Sequence, residues 1–115
     1  MKKYFLSVAM LSCMFLTSCM APTSLYSWYD YEETTYQYNK KHTDKLQARV
    51  LEQYKKIEKQ KGLRKVVPPG LYAERGFLLC KIGQTEEGIA FLKKEIEIYP
   101  ESSKYISRII NQLEK

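Results

Sequence analysis

Few residues of this 115-residue chain are of types that do chemistry. There are three cysteines, Cys13, Cys19 and Cys80, and one histidine, His42. A metal centre needs several such ligands close together, and scattered cysteines with one histidine do not supply them, so no metal is expected. His42 stands in "KKHTD" between two helical patterns, with no base–nucleophile spacing around it, and reads as a surface turn residue. Asp30, Glu32 and Glu33 lie beside Tyr29 and Tyr31. Carboxylate pairs beside aromatic rings serve glycoside hydrolysis, but these three share one short element and face no partner from a second one. They read as the acidic start of a helix. Cys80 reads as an inert, partly buried thiol, with a reactive thiol as the alternative. No nucleophile–base pair, metal cluster or phosphate-binding loop is present, so the expectation is a protein that is not an enzyme and has no cofactor or small-molecule substrate.

Cys19 is the residue whose surroundings do specify chemistry. Lys2 and Lys3 precede an apolar run from Phe5 to Leu16, and the small residues Thr17 and Ser18 follow. That order of charge, apolar run and small residues is a secretory signal peptide, too short to span a bilayer comfortably as a permanent helix. Leu16-Thr17-Ser18-Cys19 resembles the bacterial lipobox. The resemblance implies cleavage between Ser18 and Cys19, a diacylglycerol on the Cys19 thiol and an acyl chain on its new amino group. Several acyl chains anchor far better than one, because each buried methylene contributes about 0.8 kcal/mol. Met20, not Asp, follows the cysteine. By the same resemblance this implies the periplasmic face of the outer membrane, or the outer face of the plasma membrane in a Gram-positive cell.

Cleavage would remove Cys13 and two lysines, leaving Cys80 as the one free thiol and lowering the formal charge from +6 to +4. That charge is too modest for a nucleic-acid footprint, and no nucleic acid is expected as partner. The expected layout is a signal peptide over 1–18, a lipidated tether over 19–25 and a helical domain over 26–115.

The domain divides at "GLRKVVPPG", where Gly62 is expected to stop a helix and Pro68-Pro69 cannot continue one. Before it, 26–62 reads as a degenerate helix pair. One helix runs from Trp28 to Asn39. The next is capped by Thr43 or Asp44 and runs to Lys61, with Leu46, Val50, Tyr54 and Ile57 as its apolar stripe. Glu52 is spaced to pair with Lys55 or Lys56. In the same half Trp28, Tyr31 and Tyr38 fall near one side and Tyr29 and Tyr36 on another, so one set is expected in the core and one exposed. After a linker over 63–70, residues 71–100 read as a second pair. Tyr72, Gly76 and Leu79 mark its first helix, Gly83 the turn, Thr85 a cap candidate, and Ile89, Leu92 and Ile96 the second helix. Pro100 closes that pair, and 101–115 form a last amphipathic helix. The fold class is therefore all-α, built of antiparallel helix pairs.

The second pair resembles a tetratricopeptide repeat over residues 69–102. Gly76, Gly83, Gly88, Leu92 and Pro100 fall on the repeat's small, turn, small, large and closing positions. Arg75 and Glu95 depart from the pattern, which expects an apolar and a small residue there; either they pair with each other across the two helices or the packing is looser than in a usual repeat. The resemblance implies a concave groove near Ala73, Phe77, Cys80 and Lys81, candidate partner-binding residues alongside Trp28 and Tyr31 of the aromatic segment. The chain also resembles a family of small bacterial lipoproteins of unknown function, through "YSWYDYEETTYQY", "PPGLYAERGFLL" and "YPESSKYISRII". Members are often encoded beside a lipoprotein like the curli secretion channel. The resemblance implies a membrane-anchored adaptor whose partner is another envelope lipoprotein or a secretion-channel protein. The alternative is a binder of peptidoglycan or lipopolysaccharide through its tyrosines, Trp28 and basic surface.

Overall fold

Thr43 shows how directly the sequence builds one helix. Its side chain accepts the Leu46 N–H at 3.2 Å, Asp44 follows at the positive end, and Lys55 and Lys56 occupy the last turn. The structure, a computed structural model, describes residue 4 and residues 24–115. The expected signal peptide, the expected Ser18–Cys19 cleavage junction and the expected tether as far as residue 23 lie outside the described residues. Residues 24–115 are all-helical: α1 (Tyr31–Lys40), α2 (Asp44–Glu58), α3 (Leu71–Lys81), α4 (Thr85–Ile98), a 3-10 turn (Pro100–Ser102) and α5 (Ser103–Leu113), with no strand among them.

α1 and α2 form one antiparallel pair. Asp30 N–H donates to Gln53 Oε1 (3.1 Å) near one end, and Ser27 N–H to Gln60 Oε1 (2.9 Å) beyond it. The stripe of α2 faces inward as its period requires: Val50, Tyr54 and Ile57 are buried, and Tyr31 and Tyr38 of α1 pack against them. Tyr29 and Tyr36 form the exposed set. Glu52 pairs with Lys56 at 3.2 Å on the solvated face of α2.

α3 and α4 form the second, tighter pair. The turn between them is a Schellman motif: Gly83 N–H bonds to the Cys80 carbonyl and Gln84 N–H to that of Leu79. Gly83 carries φ +94°, a conformation that a Cβ would penalise. Above the turn the backbones nearly touch. A Cβ placed on Gly76 would lie 2.6 Å from the Gly88 carbonyl oxygen, and one on Gly88 would lie 2.5 Å from that of Gly76. Leu92, fully buried, fills the space beside this crossing and packs with Ile106 and Ile110 of α5 in a second core.

Several expectations are corrected. α1 begins at Tyr31, not Trp28, because Tyr29 turns the chain with φ +49°. α2 ends at Glu58, not Lys61, because the next residues bond elsewhere: Lys61 N–H donates to Ser27 Oγ and Gln60 Nε2 to the Ser27 carbonyl. Gly62 therefore does not stop the helix. It allows a close approach, since a Cβ there would lie 2.7 Å from the Leu25 carbonyl carbon. Ser24 and Leu25, expected in the tether, accept hydrogen bonds from Leu63 and Arg64. Thr85 is the first residue of α4 and not its cap; Gln84 precedes it without a side-chain cap bond. The linker, 59–70 in the structure, is half core, with Val67 and Pro68 buried and the Val67 carbonyl accepting the Tyr99 hydroxyl at 2.5 Å.

Arg75 and Glu95 do not pair. The Arg75 guanidinium reaches back to Glu58 of α2 and lies 3.9 Å over the Phe91 ring. Glu95 Oε1 accepts the Gly70 N–H at 2.5 Å, at the start of α3. Each charged residue where a repeat would have an apolar or a small one thus has a separate tertiary task. Arg75 joins the two helix pairs, and Glu95 fixes the entry of the loop into α3.

Candidate functional site: an apolar groove along the third helix

The outward face of α3 is set by its spacing. Ala73, Phe77, Cys80 and Lys81 recur at three and four residues, and Glu74 and Leu78 flank them. These six, with Tyr54 from α2 and Leu113 from α5, line an open, mainly apolar groove of about 630 Å³. α3 supplies most of its lining, and α2 and α5 contribute one residue each. Phe77 is 42% exposed and Leu113 37%, unusually open for large apolar side chains.

Glu74 organises one end. Its Oε2 accepts the Tyr31 hydroxyl at 2.5 Å and the Tyr54 hydroxyl at 3.4 Å. Burial pushes the Tyr31 and Tyr54 phenols far above their ordinary range, and the Glu74 carboxylate adds to the shift. Both stay protonated and act as donors. Behind them is a second pocket of about 250 Å³, which shares Tyr54, Glu74 and Leu78 with the groove and continues toward Tyr38 and Asn39. Lys81, two turns along α3, places a cation at the other end. The groove is thus apolar in its middle and oppositely charged at its ends.

Cys80 lines the groove, and its Sγ donates to the Thr85 carbonyl at 3.7 Å. Burial raises its pKa, which keeps it a thiol and a weak nucleophile near neutral pH. Asp30, Glu32 and Glu33 stand together in a separate open depression with Tyr29 and Tyr36, all five from one continuous segment. Among the described residues, no three His, Cys, Asp or Glu side chains are placed to hold a metal ion, and no helix is long and apolar enough to cross a membrane.

Of the expected partner-binding residues, Ala73, Phe77, Cys80 and Lys81 come together in the groove; Trp28 and Tyr31 do not line it. Trp28 is linked to it through rings: its centroid lies 5.3 Å from that of Tyr31, which lies 6.2 Å from that of Tyr54. Sequence reasoning missed Glu74, Leu78, Tyr54 and Leu113 as groove residues. Glu74 and Leu78 were accessible, since Glu74, Phe77, Leu78 and Lys81 follow i, i+3, i+4, i+7 spacing. Tyr54 and Leu113 arrive from other helices, and no local signal places them there.

No curated protein and no solved structure matches this chain significantly. One family model does match, over residues 25–109, covering both helix pairs and the first part of α5. The chain therefore belongs to the family described as a domain of unknown function, DUF4810.

Proposed function

We propose that this protein is a lipid-anchored, non-catalytic adaptor of the bacterial envelope, and that its α3 groove receives an apolar segment of another envelope protein. The observation that carries the reading is the groove. Phe77 and Leu113 stay open to solvent beside Ala73, Leu78 and Cys80. Such apolar surface with charged ends fits an amphipathic helix better than it fits a reacting small molecule. Cys80 has no activating base among its hydrogen-bond partners, which supports a non-catalytic role.

A tetratricopeptide-like architecture is part of the proposal. It is supported by the Gly76–Gly88 crossing, the Gly83 turn and an α5 that covers Leu92. The anchor rests on Leu16-Thr17-Ser18-Cys19 and on Met20 for the outer membrane. Polymer binding has less support, because the Tyr31 ring and hydroxyl are engaged by Tyr54 and Glu74 and offer no free platform.

The test is the paired variant Phe77→Asp/Leu113→Asp, expressed in its own cell and extracted in mild detergent. Its native mobility should rise to that of the free lipoprotein, with helicity unchanged. Unchanged mobility of an assembly larger than the single chain would reject the groove. Cys19→Ser tests the anchor separately and should accumulate as an uncleaved, unlipidated precursor.

A further inference from the structure

Five exposed apolar or aromatic side chains fall on two segments that lie against each other. Leu25, Trp28 and Tyr29 belong to the strap before α1, and Leu63 and Val66 to the loop after α2. Leu63 N–H and Arg64 N–H donate to the Ser24 and Leu25 carbonyls, both at 3.2 Å. The Tyr29 hydroxyl donates to the Lys59 carbonyl at 3.0 Å, and Gly62 lets the two backbones meet. Lys59, Lys61, Arg64 and Lys65 belong to the same loop, all exposed. Arg64 holds the Tyr26 hydroxyl at 3.0 Å, and the three lysines make no ion pair among the described residues. The acid nearest the lysines in sequence, Glu58, is taken by Arg75, while Asp30, Glu32 and Glu33 share a depression with Tyr29.

We infer that this strap-and-loop face docks on the phosphate headgroups of the phospholipid bilayer that holds the anchor. The inference rests on the lipid-anchor reading of Cys19. Chain length selects the occupant: five residues from Cys19 to Ser24 reach at most about 17 Å, whatever their conformation. A lipidated Cys19 therefore keeps the first described residue of the fold near the membrane surface, and the strap and loop beside it carry exposed apolar side chains and basic residues. Indole and phenol rings favour headgroup depth, and lysine stems lie along apolar surface while their ammonium groups reach phosphate. Each lysine near an anionic surface strengthens the contact by about fivefold. The face supplies a second membrane contact and holds the helical domain in one orientation.

Trp28 is the only tryptophan of the chain and borders the face, so it reports the contact directly. The lipidated chain is reconstituted into vesicles of phosphatidylcholine, or of phosphatidylcholine with about a third phosphatidylglycerol, carrying a headgroup-attached spin label. Quenching of Trp28 should be at least about twofold stronger in the anionic vesicles, and should fall at high salt. The triple variant Lys59→Glu/Lys61→Glu/Lys65→Glu, with helicity unchanged, should lose the difference. Equal quenching in both vesicles, or in variant and parent, overturns the inference. Flotation with neutral vesicles reports the anchor independently. A chain that fails to float there refutes the lipid anchor alone. Flotation with anionic vesicles then decides the face: loss in the triple variant supports it, and equal flotation overturns it.

Discussion

Gly88→Ala should destabilise this protein, although the same change in an ordinary helix stabilises it. Inside α4 the substitution gains about 1 kcal/mol of helix propensity. Against that, the new Cβ would stand 2.5 Å from the Gly76 carbonyl oxygen and 2.9 Å from the Cys80 backbone nitrogen, with Cys80 Sγ also in contact. Two of those neighbours are backbone of α3, so relief requires the helices to separate and Leu92, fully buried beside the crossing, to loosen. Overpacking of this kind costs about 3 kcal/mol at the upper end. The net loss is about 2 kcal/mol, which in a domain of this size lowers Tm by roughly 10 °C. The assay is thermal unfolding by circular dichroism, with Ala90→Gly as the control. Ala90 is an exposed position of the same helix, where glycine should cost about 1 kcal/mol through propensity alone. If Gly88→Ala raised Tm, the close crossing of α3 and α4 would be wrong.

Other outcomes follow from the same contacts. Glu95→Leu removes the acceptor of the Gly70 N–H and should cost about 1–3 kcal/mol, whereas Glu95→Gln keeps a carbonyl there and should cost less; denaturant midpoints compare the two. Tyr54 is raised above its ordinary 10.0, so its stabilising contribution is complete below pH 10 and lost as pH rises toward the folded value. Alkaline denaturation should therefore be less steep in Tyr54→Phe, by up to about 1.4 kcal/mol per pH unit, when midpoints are measured between pH 9 and about 11.5.

The elements were most legible where local physics decides them. The stripe of α2, the Thr43 cap, the Gly83 turn and the small residues Gly76 and Gly88 each act through neighbours in sequence or through size alone. Their placement followed from period and residue type. The misjudged positions depend on distant chain. Gly62 looks like a helix stop, but its small size serves the Leu25 strap; α2 ends early, and the Lys61 N–H that a longer helix would have used donates to Ser27 Oγ. Arg75 and Glu95 were correctly singled out as out of pattern, but two opposite charges in one helix pair suggest each other. The actual partners, Glu58 and the Gly70 N–H, lie in other elements. For the groove, Ala73, Phe77, Cys80 and Lys81 were legible, while Glu74 and Leu78 of the same helix were not assigned to it. Tyr54, Leu113 and the tyrosine pair on Glu74 required the packed bundle.

The central claim, that the α3 groove receives an envelope protein, is tested most directly by photocrosslinking in the living cell. A photoreactive residue is placed at Phe77, and in a second strain at Lys93, an exposed position of α4 that does not line the groove. The account predicts a discrete protein adduct from Phe77 that is absent from Lys93 and disappears when Leu113→Asp is added. No protein adduct from Phe77, or the same adducts from both positions, would contradict it.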